Sequence, residues 1–345
     1  MNRRRKKLFY LVVLLLCAIL AVLPWAGFSY GVVWIFLLAV YFTLALSYDI
    51  VGGYMGYMNL GHSTFFGLGA YTTAILLNQG FNLFAALFAA LLLTAVFAAV
   101  ISYPLFRLRG AYFALATFGL ISLIEVLTTN FRELTGGSGG ISTPPGNHMV
   151  PSYYLVLAVA GGTMLLSQLV ARSKFGLALF SIREDEEVAR AFGVPTTLYK
   201  GLALVISSAP ASLVGGIYVW NMTYISPNSV FGLEIALSPI IMAMLGGTGI
   251  MIGPLVGAVF ITLVQEFLWT KVPYFHLAMY GTVLVLIGLY MPGGIVRTRW
   301  AKPVIQWLGL GEAVDYFKNG DAEPTPPKWR MLRRPDGRKG FLKKP

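Results

Sequence analysis

Long apolar runs separated by short polar segments dominate the chain. A helix needs about 20 apolar residues to cross the roughly 30 Å hydrocarbon core of a bilayer, since each residue adds about 1.5 Å. The pattern predicts an all-α integral membrane protein with about ten transmembrane helices, in a membrane domain covering residues 1–300. The runs lie at 8–23, 32–50, 57–77, 83–106, 111–129, 152–171, 201–221, 235–247, 250–269 and 275–291.

The distribution of the runs predicts an internal repeat. Five runs precede residue 131 and five follow residue 151. An odd number of spans per half places the halves in opposite orientations, and such inverted repeats are common in transporters. The run at 235–247 is too short to cross straight, so we expect a broken or re-entrant segment buried among other helices.

A short helix is predicted in the charge-dense segment 172–200. Ser181 and Glu184 have the S-x-x-E spacing of a capping box, which marks a helix start. Gly193 tolerates the left-handed conformation that ends many helices. The predicted helix, 182–192, is only about 16 Å long at about 1.5 Å per residue, so we expect it outside the membrane.

This short helix has one apolar face. Val188, Ala191 and Phe192 share that face, which could press into a groove on a partner protein or on this protein's own surface. Glu186 stands four residues before Arg190, the spacing of a favourable ion pair. The alternative is a solvated loop, because a run of charges is usually a wet surface.

Composition agrees with a polytopic membrane protein. The chain is 57% hydrophobic and 12% charged, with a mean hydropathy of +0.72, which excludes an ordinary soluble domain. Of the net charge of +12, residues 1–7 contribute +5 and residues 296–345 contribute +7, from twelve Lys/Arg and five Asp/Glu. The basic balance therefore reflects membrane topology and gives no reason to expect nucleic-acid binding. The single cysteine, Cys17, excludes a disulfide within the chain.

The basic residues predict the topology. With the N-terminus inside the cell, residues 107–109, the segment 172–200 and the tail 301–345 all fall on the cytoplasmic side, as the positive-inside rule requires. The polar tail is expected to have little structure of its own. Residues 1–23 could instead be a signal peptide, but the apolar run is long and no small-residue cleavage site follows it, so we favour an uncleaved first span.

Small residues recur at helix-packing spacing through the apolar runs. Pairs four residues apart, such as Gly253 and Gly257, allow helix backbones to approach closely. Glycines also serve as joints in broken helices, so Gly52-Gly53, Gly215-Gly216 and the segment 246–249 are candidate hinges. Close packing is the alternative for each of them.

Five blocks of sequence, in order along the chain, carry a family resemblance. They are GYMNLGHSTFFGLGAYTTAIL (56–76), RLRGAYFALAT (107–117), ELTGGSGGIS (133–142), SKFGLALFSIREDEEVARAFGV (173–194) and MLGGTGIMIGPLVGA (244–258). Any single block would be weak, but five in order with similar spacing, between about residues 49 and 292, are a specific signal. Together they resemble the LivM-type permeases of bacterial branched-chain amino acid ABC importers.

The resemblance implies that the chain is one subunit of a multi-subunit transporter in the bacterial inner membrane. Its expected partners are two cytoplasmic ATPase subunits, a second related permease, an external or periplasmic solute-binding protein and membrane lipid. ATP would be bound by the ATPase subunits, and no cofactor is expected on this chain. The solutes implied are leucine, isoleucine and valine.

The resemblance also implies roles for particular residues. The helix 182–192 would be the coupling helix seated in a groove of an ATPase subunit, with Phe192 as its apolar anchor. The other coupling residues would be Arg183, Glu184, Asp185, Glu187, Arg190 and Gly193. Candidates for the solute pathway or its hinges are Gly61, His62, Gly67, Gly69, Gly246, Gly247, Gly249 and Gly253.

No pattern in the chain predicts catalysis. The absence of any Gly-Lys dipeptide excludes a phosphate-binding P-loop, so a separate ATPase must supply the energy. The histidines do not stand at metal-ligand spacing. Ionisable residues in or near the spans are Asp49, His62, Glu125, Glu234 and Glu266.

Two other functions remain open from the sequence. A stand-alone secondary transporter or channel could couple an ion gradient through Glu266 or His62. An ABC permease for urea or short amides would show much the same blocks. A membrane enzyme ranks last, because no nucleophile and base or metal ligands are recognisable.

Overall fold

The computed structural model describes residues 20–271, together with 278, 281, 282, 285, 286 and 294–297. Six helical segments in this part are long and apolar enough to cross a membrane. They are α1 (Ser29–Gly52), α3 (Leu83–Leu105), α4 (Ala111–Asn130), α6 (Met149–Arg172), α9 (Thr196–Met222) and the consecutive pair α10 (Pro227–Phe231) and α11 (Leu233–Gly246).

The remaining helices are shorter or lie in connections. They are α2 (Ser63–Asn78), α5 (Arg132–Thr135), α7 (Lys174–Glu184), α8 (Glu186–Ala191) and α12 (Gly253–Lys271), with 3₁₀ turns at Leu23–Ala26, Gly137–Gly139 and Ile295–Arg297. Two short strands, β1 (Ile141–Ser142) and β2 (Tyr224–Ile225), pair antiparallel.

The predicted helical membrane protein is confirmed, and the count of ten spans stays a prediction. Each apolar run between residues 32 and 269 contains a helix. The runs 8–23 and 275–291 lie mostly outside the described residues, and the tail 301–345 lies wholly outside them. The inverted repeat of two five-helix halves therefore also stays a prediction.

One predicted span is shorter than expected. The run 57–77 becomes helical only at Ser63, where α2 begins, and residues 53–62 form an irregular connection. The backbone N–H groups of Gly53 and Tyr54 both donate to the carbonyl of Asp49, which closes α1. Gly56 then takes a left-handed conformation (φ 77°) that a helix cannot contain. Apolar composition alone could not reveal this turn.

The expected break within the run at 235–247 is not present, because residues 235–246 lie in one continuous helix, α11, and the chain is interrupted just before it, at Gly232. A five-residue helix, α10, is followed by Gly232 and then by the fourteen-residue α11. The side chain of Ser226 caps α10, and Gly232 starts α11 in an extended conformation (ψ 156°). The segment after α11, 247–252, turns back into α12 within the protein, where Gly247, Gly249 and Ile250 are buried.

Helix α9 lies at the centre of the bundle and packs against α1, α2, α3 and α6. A Cβ added to Gly69 of α2 would overlap the backbone of Ser212 in α9, and one added to Gly215 would overlap the carbonyl of Phe66. These two helices therefore meet backbone to backbone, as small residues permit in membranes. Helix α1 packs against α6, α11 and α12 on the other side of the core.

The outer helices α3, α4 and α6 present large apolar side chains away from the bundle. Exposed examples are Phe84, Phe88, Leu92, Val96, Tyr112, Leu115, Leu165 and Leu169. A surface of this kind is stable only against lipid or another apolar protein surface.

The basic residues of the connections gather at one end of the bundle. Within residues 20–271, the connections at the end where α1, α3 and α6 finish carry seven Lys/Arg, namely Arg107, Arg109, Arg172, Lys174, Arg183, Arg190 and Lys200. The opposite end, where β1 and β2 pair, carries only Arg132 and Lys271 within the same range. We call the first the basic end.

Candidate functional site

The predicted single helix 182–192 is wrong, because the chain breaks at Asp185. Helix α7 ends at Glu184, Asp185 is extended (φ −160°, ψ 112°), and α8 begins at Glu186. The Asp185 carboxylate accepts the backbone N–H groups of Glu187 at 2.8 Å and Val188 at 3.0 Å, which caps α8. The two short helices form an elbow at the basic end.

The capping box predicted from Ser181 and Glu184 is also wrong. Ser181 lies inside α7, and its hydroxyl donates to the carbonyl of Leu177 at 2.9 Å. Helix α7 is capped instead by Ser173, whose hydroxyl accepts the N–H of Gly176 at 3.1 Å. Serine and aspartate side chains can both accept hydrogen bonds from the free backbone N–H groups at a helix start. The S-x-x-E spacing therefore pointed to Ser181, whereas Asp185 is the residue that caps α8.

The end of α8 follows the expectation. Gly193 adopts a left-handed conformation (φ 87°), and its N–H donates to the carbonyl of Arg190 at 3.0 Å. The N–H of Val194 reaches back to the carbonyl of Ala189 at 3.1 Å. These two bonds satisfy carbonyls at the end of the helix.

A buried ion pair holds α8 against the rest of the protein. The carboxylate of Glu186 lies 2.8 Å from the ammonium of Lys200, at the start of α9, and 3.0 Å from the guanidinium of Arg190. Its other oxygen accepts the hydroxyl of Tyr57 at 2.6 Å. The Lys200 side chain is 2% exposed and that of Glu186 10%, so removing either partner would leave a buried charge without its main partner. We call these residues the Glu186 cluster.

Aromatic rings complete the cluster. The ammonium of Lys200 lies over the rings of Tyr57, at 5.1 Å, and Phe106, at 5.4 Å, within cation–π range. Phe113 of α4 stacks on Phe106 with ring centres 5.2 Å apart. The cluster thus joins α8, α9, the α1–α2 connection and the α3–α4 connection.

Charge in the cluster stabilises the ionised form of Glu186. Burial opposes ionisation, but hydrogen bonds from Lys200 and Tyr57 and the charges of Lys200 and Arg109 outweigh it, so the pKa of Glu186 stays below its ordinary 4.5. Burial, and then the hydrogen bond to Glu186, raise the pKa of Tyr57, which therefore remains a neutral donor.

The opposite face of α8 is open. Phe192 is 86% exposed and Val188 is 50% exposed, and Ala191 is exposed beside them. Beside this face, Glu187 forms an exposed ion pair with Arg109 at 3.0 Å. The predicted apolar face therefore exists and is uncovered in this chain.

The other predicted coupling residues divide into two groups. Glu184 and Gly193 are exposed, and Arg190 is exposed while it pairs with Glu186. Arg183 instead points into the protein, where its guanidinium donates to the carbonyl of Gly53 at 2.7 Å.

Arg183 lies beside the segment 247–252 that follows α11, which we call the glycine loop and which is anchored by Asp49. The N–H of Gly249 donates to both carboxylate oxygens of Asp49, at 2.9 and 3.0 Å, and Asp49 is completely buried. A Cβ on Gly53 would overlap the Asp49 carboxylate, and a Cβ on Gly249 would lie 3.0 Å from Arg183. The end of α1, the glycine loop and the end of α7 therefore meet at one point.

The glycine candidates mark close backbone approaches. A Cβ on Gly61 would lie 2.5 Å from the carbonyl of Thr117, and one on Gly67 would overlap the ring of Phe231. Gly246 and Gly253 pack directly against each other. Of the three hinge candidates, Gly52-Gly53 and the segment 246–249 stand at helix ends, whereas Gly215-Gly216 lies within the continuous α9.

His62 lies at the start of α2 and is completely buried. Its Nε2 lies 2.8 Å from the hydroxyl of Ser47. Glu266, on α12, accepts a hydrogen bond from Tyr30 on α1. These two ionisable residues stand on different elements, and neither is hydrogen-bonded to Glu186 or Lys200.

Sequence reasoning missed Lys200 and Tyr57. Lys200 appeared only as the last residue of a charged segment, and Tyr57 as the first residue of an apolar run. A lysine immediately before an apolar run, fourteen residues after an acid, was a usable signal, but only the fold brings the two together with Tyr57.

Comparison with known proteins places the chain in a family. A family model described as "branched-chain amino acid transport system / permease component" matches residues 31–288. The high-affinity branched-chain amino acid permease proteins LivM of Salmonella typhimurium and Escherichia coli are each 27% identical, over 74% of this chain and 68% of their own length.

A relative with another named solute also matches. The autoinducer 2 import system permease protein LsrC of Salmonella paratyphi B is 27% identical, over 61% of this chain and 62% of its own. No solved structure matches the chain. Because the family model covers well over half of the sequence, this chain belongs to the branched-chain amino acid transport system permease family.

Proposed function

We propose that this chain is a membrane permease subunit of an ABC importer for branched-chain amino acids, driven by ATP hydrolysis in separate subunits. The observation that carries the proposal is the exposed face of α8, with Phe192 and Val188, held on a rigid base by the Glu186 cluster. An exposed apolar face on a firmly anchored helix is suited to a protein groove.

The basic end is proposed to face the cytoplasm of a bacterial cell, across its inner membrane. Seven of the nine Lys/Arg in residues 20–271 lie at that end, which is the asymmetry expected of cytoplasmic connections. Both termini would then also lie inside. The α7–α8 elbow would dock into an ATPase subunit there, with Phe192 seated in its groove and Glu184 and Glu187 at the rim.

The proposed partners are two ATPase subunits, a second related permease and an external solute-binding protein. The exposed apolar surfaces of α3, α4 and α6 leave room for both lipid and the second permease. Movement of the ATPase subunits would shift α8, and the Glu186 cluster would carry that shift to α9 and to the α1–α2 connection.

The solute assignment is supported by the names of the LivM relatives, and the LsrC match makes autoinducer 2 the competing solute within the same family. One experiment distinguishes an ABC importer of either solute from a stand-alone transporter. The chain is co-expressed with the proposed partner permease and ATPase subunits, purified by a tag on this chain, and reconstituted in liposomes.

We expect the ATPase subunits to co-purify and leucine uptake to require both ATP inside the liposomes and the binding protein outside. A variant lacking the ATPase subunits is the control. Uptake driven by an ion gradient without ATP would contradict the proposal, as would ATP-dependent uptake of autoinducer 2 without leucine.

A further inference from the structure

A second polar cluster lies deep in the bundle, where residues 53–62 lead into α2. Four buried side-chain atoms within six residues have no hydrogen-bond partner in the described part of the chain, namely Asn59 Nδ2, His62 Nδ1, Ser63 Oγ and Thr64 Oγ1. None of the four residues is more than 2% exposed. Native proteins leave few buried polar atoms unpaired, so this concentration points to a ligand or ordered water.

Three of these atoms can donate hydrogen bonds, two from the first turn of α2 and one from Asn59 in the connection before it. The Asn59 side-chain oxygen accepts the N–H of Gly61 at 3.0 Å, which fixes the orientation of the amide and leaves its NH₂ group free. The hydroxyls of Ser63 and Thr64 belong to the first turn of α2, whose side chains lean back towards the helix start. This start has no side-chain cap, and the positive end of the helix dipole favours a negative group there.

The fourth atom is an acceptor. The hydroxyl of Ser47 donates to the carbonyl of Leu44 at 3.0 Å, so its oxygen accepts from the Nε2–H of His62 at 2.8 Å. The other ring nitrogen, Nδ1, then carries a free lone pair. An ammonium group could donate a hydrogen bond to this lone pair. Donors for a carboxylate and an acceptor for an ammonium thus occur within the six residues 59–64.

An apolar surface adjoins this polar cluster. Tyr48, Ile240 and Ala243 form a small buried cluster that is separate from the main hydrophobic core. Leu60 and Met244 pack against it and are only partly buried. The ring of Tyr48 meets that of His62 edge-on, with centres 6.0 Å apart, so the polar and apolar clusters are direct neighbours.

We propose that these neighbouring clusters form a binding site for an α-amino acid with a short aliphatic side chain. The carboxylate would accept hydrogen bonds from Asn59, Ser63 and Thr64, the ammonium would donate to His62, and the side chain would lie on the surface of Leu60 and Met244. A mostly apolar site with a few convergent polar groups is the usual form of a small-molecule site, and transporters place such sites where helices are interrupted. The inference rests on the proposed function and names its solute site.

Binding of tritiated L-leucine to the assembled transporter, in nanodiscs and without the binding protein, tests the site. We expect Thr64→Val to weaken binding about tenfold, the effect of losing one hydrogen bond to a charged group, and Thr64→Ser to restore it. We also expect 4-methylpentanoate, which lacks the ammonium, and 3-methylbutylamine, which lacks the carboxylate, each to compete at least about tenfold more weakly than leucine.

Thr43→Val is the matched control. Thr43 is equally buried, but its hydroxyl already donates to the carbonyl of Ala39 at 2.7 Å, so its loss should leave leucine binding unchanged. Thermal unfolding provides a second readout. Because the Thr64 hydroxyl has no partner within the described residues, Thr64→Val should not lower the unfolding temperature.

Three results would overturn the site, and they are distinguishable. Unchanged leucine binding in Thr64→Val together with a lowered unfolding temperature would assign these atoms to ordered water. A wild-type complex that imports leucine with ATP but does not bind it without the binding protein would reject the site and leave the proposed function standing. A wild-type complex that imports no leucine would reject both.

Discussion

The ammonium of Lys200 lies 2.8 Å from the carboxylate of Glu186, and this ion pair is almost completely withdrawn from solvent. It joins the start of a central helix, α9, to the short helix α8 that displays Phe192. The hydroxyl of Tyr57 closes the pair from a third segment. A surface helix is thereby fixed to the bundle core through charge and aromatic contacts.

Breaking this ion pair should destabilise the protein strongly. We expect Lys200→Met to lower the free energy of unfolding by about 3 kcal/mol, because it leaves the Glu186 charge buried without its main partner. The double variant Lys200→Met/Glu186→Gln should recover part of the loss. Chemical denaturation of the detergent-solubilised protein measures both.

Arg109→Met is the control for that experiment. It removes an ion pair at a similar distance, 3.0 Å from Glu187, but both side chains are more than half exposed. Exposed pairs contribute about 0–1 kcal/mol, so the change should be small. Equal losses from Lys200→Met and Arg109→Met would contradict the importance given to burial.

Acid should weaken the Glu186 cluster. The pKa of Glu186 in the folded protein is below the ordinary 4.5, so its contribution to stability is present above pH 4.5 and is lost as the pH falls through the folded value. Unfolding measured as a function of pH should show this loss below pH 4.5. Glu186→Gln should reduce this loss of stability below pH 4.5. Glu187→Gln should leave the loss unchanged, because the Glu187 carboxylate is exposed.

The open face of α8 should be needed for coupling and not for folding. Phe192 is 86% exposed, so Phe192→Asp should leave the unfolding temperature unchanged. If the side chain docks in an ATPase groove, the same change should reduce ATP-dependent uptake at least about tenfold, as loss of a buried aromatic anchor does at protein interfaces. Uptake and ATP hydrolysis are measured together in liposomes.

Phe81→Asp provides the comparison. Phe81 is also an exposed aromatic, at 53%, but it lies in the α2–α3 connection at the opposite end of the bundle. We expect normal ATPase binding in this variant. Normal uptake in Phe192→Asp would refute docking through α8.

The glycine loop after α11 should tolerate no side chain at Gly249. Its conformation is left-handed (φ 80°), and a Cβ would approach Arg183 to 3.0 Å. We expect Gly249→Ala to lower the free energy of unfolding by about 1–2 kcal/mol through the strained backbone. Gly119→Ala is the control, since nothing lies within 4 Å of its Cβ position in α4 and alanine favours a helix by about 1 kcal/mol. A stabilising Gly249→Ala would show that the loop is free to rearrange.

Much of the local structure could be read from the residues in order. Apolar runs predicted the helices, since a backbone in hydrocarbon must satisfy its own hydrogen bonds. The stop at Gly193 and the Glu186–Arg190 pair also depend only on neighbours along the chain, and both are present. The helix start was misplaced because Ser181 and Asp185 are both competent caps, and which one acts depends on where the chain bends.

The sequence by itself determined a helical membrane protein, its family and the apolar face of a short helix at the basic end, because each depends on hydrophobic spacing, charge or residues close together in the chain. Only the tertiary structure decided that Lys200 and Tyr57 meet Glu186, that Asp49 holds Gly249, and that the start of α2 carries unpaired polar atoms beside an apolar surface. Those contacts join residues up to 200 positions apart. They form only when the whole bundle packs, because packing must offset the entropy lost in bringing distant segments together.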